Sequence, residues 1–343
     1  MVHLHINRSY FFIIICSIIL LWMCLQFGLM NTWLEETLLP NAKECSTVIH
    51  VEVDQQISAY KQQVARLKRF IASNVPANRS LYYIEDIHLH LPFVYVITPT
   101  YSRPTQKAEL TRLVQTLLLV PNLHWIVVED SIEKTDLVTR LLKKSGIKYT
   151  HLNTATPSEY KLSSNDPNWL KPRGVQQRNL ALSWLRQNYN LNRANGVVYF
   201  ADDDNTYDVD IFEEMRFTSK VSVWPVGLVG GLLVERPIVE NGKVVGWFSA
   251  WKPNRPFPMD MAGFAVNLRA LLDHPSAMFN LSAPRGFQES SLLHTLVTMN
   301  QLEPKASNCT EVLVWHTRTE KVKLKAEVTL RRQGKQSNTG IEV

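Results

Sequence analysis

Three adjacent carboxylates, Asp202, Asp203 and Asp204, directly follow the apolar run Val197–Phe200. Carboxylates in a row repel one another, so they suit a place where hard cations or hydrogen-bond donors hold them, and oxygen ligands of this kind fit Mg2+ or Mn2+, which also bridge phosphate oxygens. A solvated acidic turn is the plain alternative, and a position at the end of a buried strand favours the cation. The Asp-x-Asp-x-Asp-Gly spacing of an EF-hand is absent. Neither G-x-x-x-x-G-K-[ST] nor G-x-G-x-x-G occurs, which disfavours a P-loop or a dinucleotide fold. Arginine then becomes the candidate phosphate clamp: Arg173 and Arg178 flank an expected helix start, and His316 and Arg318 follow the last expected strand. Trp251 to Asp260 reads WKPNRPFPMD, where a tryptophan face can stack on a sugar while Arg255 and Asp260 bind hydroxyls; core packing of Trp251 is the alternative. Glu289 opens an expected helix, as a dipole-stabilised first-turn residue or as a general base on an acceptor hydroxyl.

The elements that position these groups can be read from periodicity. Val94–Thr98, His124–Val128, Ile147–Leu152 and Val197–Phe200 are expected strands, and Lys107–Val120 and Gly174–Gln187 expected helices. Alternation of this kind implies a mostly parallel sheet covered on both faces, with ligands bound at the carboxyl ends of its strands. Thr100–Tyr101, Glu129–Asp130 and the Asp triplet fall at those ends. In the second half, Val226–Glu235 is an expected strand and Ile238–Val245 a hairpin about Asn241-Gly242. Gln288–Met299 is an expected helix and Val312–Trp315 a closing strand. Gly227, Gly230 and Gly231 fall inside the first of these and read as packing or bulge glycines.

The run Tyr10–Met30 has no charge and no proline and is long enough to cross about 30 Å of hydrocarbon. Arg8 before it and Glu35 and Glu36 after it orient the body to the lumen, and three sequons, at Asn78, Asn280 and Asn308, agree. Residues 31–90 form a stem, in which Val53, Ile57, Tyr60, Val64, Leu67 and Ile71 make a short a/d seam; it either dimerises or docks as a single helix. Cys16 and Cys24 lie in the apolar run, Cys45 in the stem is a candidate interchain bridge, and Cys309 reads as a buried thiol. No Cys/His spacing suggests zinc. With 45% hydrophobic and 20% charged residues the chain is globular, and a net charge of +6 lacks the basic density of a nucleic-acid binder. The expected layout is a cytoplasmic tail at 1–9, a signal-anchor at 10–30, the stem at 31–90, a nucleotide-sugar half at 91–207 and an acceptor half with tail at 208–343.

Six strings carry a resemblance: Pro99-Thr100-Tyr101-x-Arg103, His124-Trp125-x-Val127-Val128-Glu129-Asp130, Pro172-Arg173-Gly174-Val175-x-Gln177-Arg178-Asn179, Tyr199 to Tyr207, Arg255 to Phe264 and Val314 to Lys321. Over roughly Phe93 to Lys321 the sequence resembles the β-1,3-glucuronosyltransferase family. The resemblance implies a GT-A fold, inversion, Mn2+, a Golgi type II membrane protein, a homodimer and no nucleic-acid partner. It places Tyr101 and Asp130 on uracil, Arg173 and Arg178 on charged groups of the UDP-glucuronic acid donor, and Asp202 and Asp203 on ribose and sugar. It places Asp204 on the metal, and His316 and Arg318 on the diphosphate. Glu235, Trp251, Arg255 and Asp260 would line the acceptor side, with Glu289 the base. The acceptor would end in β-galactose, either the Gal-Gal-Xyl linker of a proteoglycan core protein or N-acetyllactosamine. The tail, Arg332-Gln333-Gly334 through Ile341-Glu342-Val343, resembles the linker-making members. At Ala326 it departs from them, where a polar residue would reach the acceptor across the dimer. A silent lumenal lectin on the same scaffold is the competing reading of a different class.

Overall fold

The computed structural model describes residues 91–342 apart from 163–165, 167–169, 192–193 and 321. The chain divides into two units, Met1–Ser80 and Leu81–Val343, and the described residues belong to the second. The expected membrane span, the stem with its seam, Cys16, Cys24, Cys45 and the Asn78 sequon lie outside the described residues. Among the described residues no helix is long and apolar enough to cross a membrane.

A seven-stranded mixed sheet forms the centre. Strands β1 (Phe93–Thr100), β2 (Leu123–Glu129), β3 (Tyr149–Asn153) and β4 (Gly196–Phe200) run parallel in the order 3-2-1-4. Their side chains alternate between two apolar layers. Val94, Val96, Trp125, Val127, Val197 and Tyr199 face helices α1 (Gln106–Leu117) and α2 (Asp136–Ser145). Tyr95, Ile97, Ile126, Val128, Val198 and Phe200 face α3 (Val175–Asn188). Both faces are therefore covered, as a parallel sheet requires. The sheet grows past residue 207 with β6 (Val221–Val223), β10 (Phe264–Asn267) and β11 (Glu303–Pro304); β10 runs antiparallel to β4 and β6. Consecutive strands leave β1 in opposite directions, toward β2 on one side and β4 on the other. That reversal opens a crevice at the carboxyl ends of β1 and β4.

A second sheet combines β5 (Thr206–Tyr207), β7 (Val226–Gly227), β8 (Val234–Glu240), β9 (Lys243–Phe248) and β12 (Val314–Trp315) in the order 5-12-7-8-9. The hairpin at Asn241-Gly242 is present, with Glu240 opposite Lys243 and positive φ at both turn residues. Two expected elements differ. The strand over Val226–Glu235 is broken by a turn, in which Leu228, Gly230 and Gly231 all have positive φ and Leu228 N–H donates to Leu233 C=O at 2.8 Å. Gly230 and Gly231, anticipated within the strand, help the chain reverse, while Gly227 stays in β7 against the Trp315 ring as a packing glycine. The helix expected over Gln288–Met299 ends at Leu293 as α6 (Gln288–Leu293), since Thr295, Val297 and Thr298 are β-branched and weak helix formers and Thr298 caps a separate 3-10 turn, Met299–Gln301. Among the described residues there are three further helices, α4 (Asp210–Met215), α5 (Leu268–Asp273) and α7 (Lys325–Arg332), and a turn at Ala306–Cys309 with positive φ throughout.

Candidate active site

The Asp triplet sits between β4 and β5, in the crevice at the strand switch. Asp203 is held at both oxygens: Thr100 Oγ1 donates to Oδ2 at 2.7 Å and Arg103 Nη2 to Oδ1 at 2.6 Å. Asp202 pairs with Arg178 from the first turn of α3, and its carbonyl accepts from Tyr207 OH at 2.8 Å. The backbone at Gly174 makes the Arg178 placement possible, because a Cβ there would stand 2.7 Å from Arg178 Nη1 at φ +72°. Asp204 is the third carboxylate, and it has no hydrogen-bonding or ion-pairing side chain among the described residues. Burial, then the charges of Asp202 and Asp203, push its carboxyl up to about 6. Thr317 Oγ1 donates to the Asp204 carbonyl at 2.6 Å and so ties the triplet to β12.

Mn2+ is the metal that the resemblance implies, and the donor set fits a divalent cation of this kind. Two of the carboxylates are neutralised by arginine while the third is crowded by negative charge without a partner. Among the described residues no three His, Cys, Asp or Glu side chains converge as a ready cage. A cation at Asp204 would therefore complete its shell with water and ligand oxygens, as is usual for a hard ion bound together with phosphates.

Across the crevice lies a second group of ionisable side chains. Asp260 accepts from Ala262 N–H at 3.0 Å and lies 3.2 Å from His316 Nδ1, a contact out of line for a hydrogen bond. Burial alone would raise Asp260; His316 outweighs it and holds the carboxyl below the usual range, while Asp260 raises His316. Glu235 is buried, accepts from Ser249 Oγ, and is raised chiefly by that burial. Glu289, in the first turn of α6, is enclosed on most sides yet keeps some surface open to solvent. Its carboxyl is pushed up to about 8, first by burial and then by the negative charge of Asp260, against the pull of Arg255 and Arg178. His316, Thr317 and Arg318 line an open pocket of about 510 Å³ with the Leu228–Gly231 turn, a size that suits a small organic ligand. Arg318 is exposed.

Other expected site residues have different surroundings. Arg255 is buried and its guanidinium donates to the carbonyls of Trp251, Lys252 and Gly286, so it shapes the 251–260 loop from within. Trp251 has three cations at its ring: Arg255 at 4.9 Å, Lys252 at 5.2 Å and Arg285 at 5.2 Å. A Cβ on Gly286 would lie 2.0 Å from the Trp251 ring, so only glycine fits beneath it. Asp130, at the end of β2, accepts from Thr156 N–H and Oγ1, both at 2.7 Å. Arg173 is exposed at the start of α3, and its carbonyl accepts from Arg178 Nη1 at 3.0 Å. Tyr101 follows β1 and is 44% exposed. Asn280 and Asn308 are exposed. Cys309 is buried, with its thiol pushed up to about 12.

Arg103 and Thr100 were not singled out as site residues from sequence, although both sit in the string around Tyr101. The signal available was a lone arginine and a threonine flanking an aromatic residue at a strand end; nothing local pairs them with an aspartate a hundred residues on.

These features define an α/β protein with a charged crevice at a strand switch, one uncompensated carboxylate suited to a cation and another poised to take a proton. The sequence model of Glycosyltransferase family 43 matches residues 113–320. The chain is 58% identical over 262 residues to "Galactosylgalactosylxylosylprotein 3-beta-glucuronosyltransferase 3" of Mus musculus, covering 74% of this chain and 78% of that one. It is 60% identical over 234 residues to "Galactosylgalactosylxylosylprotein 3-beta-glucuronosyltransferase 1" of Homo sapiens, 67% of this chain and 70% of that one. It is 54% identical over 259 residues to "Galactosylgalactosylxylosylprotein 3-beta-glucuronosyltransferase I" of Drosophila melanogaster, 74% of this chain and 84% of that one. The chain belongs to glycosyltransferase family 43.

Proposed function

We propose that this chain transfers glucuronic acid from UDP-glucuronic acid, with inversion, to the 3-hydroxyl of a terminal β-galactose on the Gal-Gal-Xyl linker of a proteoglycan. The observation that carries this reading is the 58% identity over 262 residues to a relative named for that reaction. In the same reading the fold is of GT-A type, and the protein is a lumenal, membrane-anchored Golgi enzyme that works as a homodimer.

The site residues supply the steps. Glu289 takes the proton of the acceptor hydroxyl, and a carboxyl at about 8 is a stronger base than an ordinary glutamate once ionised. The oxygen attacks the anomeric carbon as the bond to the diphosphate breaks, and the diphosphate leaves with the electron pair. His316 and Arg318 meet the leaving charge from the β12 side. When bound at Asp204, Mn2+ supplies further neutralisation of that charge. Inversion needs this single displacement and no carboxylate nucleophile, which leaves Asp202 and Asp203 to position the donor. Tyr101 and Asp130 would hold the uracil and Arg173 and Arg178 the charged groups of the donor, while Glu235, Trp251 and Asp260 would face the acceptor. Arg255 would keep the loop that carries Trp251 and Asp260 in shape.

Transfer from labelled UDP-glucuronic acid by the purified full chain, with Mn2+, tests this against galactosyl-β-1,3-galactose and N-acetyllactosamine side by side. Preference for the first is expected. Preference for the second would move the chain to glucuronyl capping of glycoprotein or glycolipid ends, and no transfer to either would leave a non-catalytic glycan binder.

A further inference from the structure

We infer that Arg103 is a positioning residue for the nucleotide base: by joining the Tyr101 ring, Asp203 and Glu109 through one guanidinium, it sets the platform on which a flat heterocycle stacks. This rests on the nucleotide-sugar reading above. Four contacts meet at the group. Its carbon lies 4.5 Å from the centroid of the Tyr101 ring. Nη1 donates to the Tyr101 carbonyl at 3.2 Å. Nη2 reaches Asp203 Oδ1 at 2.6 Å and also contacts Glu109 of α1. The three charged side chains are nearly closed to solvent, at 12% exposed for Arg103, 3% for Glu109 and 8% for Asp203.

An ion pair alone would not require the ring. Tyr101 keeps a large aromatic surface open at the mouth of the crevice between β1 and β4, where a nucleotide binds in a sheet with this strand order. An exposed ring ordinarily turns among rotamers and loses that freedom on binding. With a guanidinium under one face, the ring is held before a ligand arrives, and the rest of its surface is left for a flat partner. The anchor is rigid because Asp203 is itself fixed, Thr100 Oγ1 donating to its other oxygen and Gln106 Nε2 donating to Thr100 Oγ1 at 3.0 Å. Ring, acidic triplet and α1 are thereby one unit. Lysine could neutralise Asp203 and Glu109, but it lacks the planar fork that bonds sideways while stacking on a ring.

Arg103 touches no part of the pocket beside His316 and Arg318, so its loss has a distinctive signature. The full chain and its Arg103→Lys and Arg103→Ala variants are compared by inhibition with UDP, uridine and inorganic pyrophosphate, alongside donor KM and kcat. Expected is a loss of affinity for UDP and uridine by the same factor, about tenfold in Arg103→Ala. The Lys variant should be weakened less, and in both variants pyrophosphate inhibition should fall by a clearly smaller factor than uridine inhibition. If Arg103→Ala does not fold, because two buried carboxylates lose their cation, the Lys variant decides alone. Unchanged uridine inhibition in a folded variant overturns the inference, as does an equal loss for pyrophosphate, which would mark a general structural role. A wild-type chain that binds no UDP overturns the nucleotide-sugar reading itself, so the two failures are told apart.

Discussion

Replacing Glu289 by glutamine should abolish transfer and, at the same time, stabilise the protein in a pH-dependent way. The carboxyl is pushed from its ordinary 4.5 up to about 8, so the folded state binds its proton more tightly than the unfolded chain does. Below pH 4.5 both states are protonated and nothing is lost. Between 4.5 and 8 the unfolded state gains from ionising and the folded state does not, so stability falls by about 1.4 kcal/mol for each pH unit. By pH 7 the accumulated cost is about 3 kcal/mol, and above about 8 it levels near 5 kcal/mol as an upper figure. Glutamine has no proton to lose. Urea unfolding of wild type and Glu289→Gln at pH 5, 7 and 8.5 isolates the difference, because all other groups cancel. The gap in favour of the variant should widen with pH and then flatten. A gap that stays constant across that range would show that Glu289 is ionised in the folded protein at neutral pH, and the chemical reasoning would fall with it. In the activity assay the same group predicts that wild-type kcat/KM rises with pH up to about 8, since the base acts when deprotonated, and that the variant loses about 10²-fold or more.

Asp204→Asn should remove the dependence of UDP affinity on Mn2+, as read by calorimetry with and without the metal. In wild type that dependence should weaken as pH falls below about 6, where a proton occupies the Asp204 carboxyl. Gly286→Ala forces a methyl into the Trp251 ring, so we expect about 1–3 kcal/mol lost in stability and a raised acceptor KM with donor KM unchanged. Arg216 is buried and donates to the carbonyls of Pro92, at 2.8 Å, and Pro121, at 3.0 Å. Arg216→Met should cost about 1–3 kcal/mol for each carbonyl left without a donor while kcat/KM stays as in wild type, measured by thermal unfolding and the transfer assay.

Much of the donor half was legible because it follows local rules. Each of β1, β2 and β4 is a short apolar run that stops at polar residues, and α1 shows an apolar stripe, so their existence and order follow from periodicity. Where the prediction went astray, special backbone or long-range pairing was in control. The Leu228–Gly231 turn depends on positive φ at Leu228 as well as at its glycines, and leucine carries no sign of that. β6, β10 and β11 are three, four and two residues long, too short for alternation to register, and they exist only because neighbours complete their hydrogen bonds. The site divides in the same way. The Asp triplet and Glu289 stand out by type and by their place after a strand or at a helix start. Arg255 also stands out by type, yet in the fold it is spent on the carbonyls of Trp251, Lys252 and Gly286. Arg103 does not stand out, because its partners Asp203 and Glu109 come together only through the strand switch.

The distribution of charge explains why these two carboxylates, rather than their neighbours, suit the chemistry. In the Asp triplet, Asp202 has Arg178 and Asp203 has Arg103. Across the crevice Asp260 has His316. Each pairing sets an opposite charge against a carboxylate and so offsets part of the loss of water; at Asp260 it outweighs burial and holds the carboxyl below the usual range. Asp204 and Glu289 have no such cation, and their carboxyls rise to about 6 and about 8; burial also raises Asp203, against the pull of Arg103, and Glu235, against the bond from Ser249. A carboxylate held in that condition gains more from an incoming positive charge than a paired one does. In the proposed reaction, Asp204 would meet a divalent cation arriving with a diphosphate and Glu289 the proton of an acceptor hydroxyl. A displacement reaction needs one group of each kind, and the pairings around Asp202, Asp203 and Asp260 leave both available.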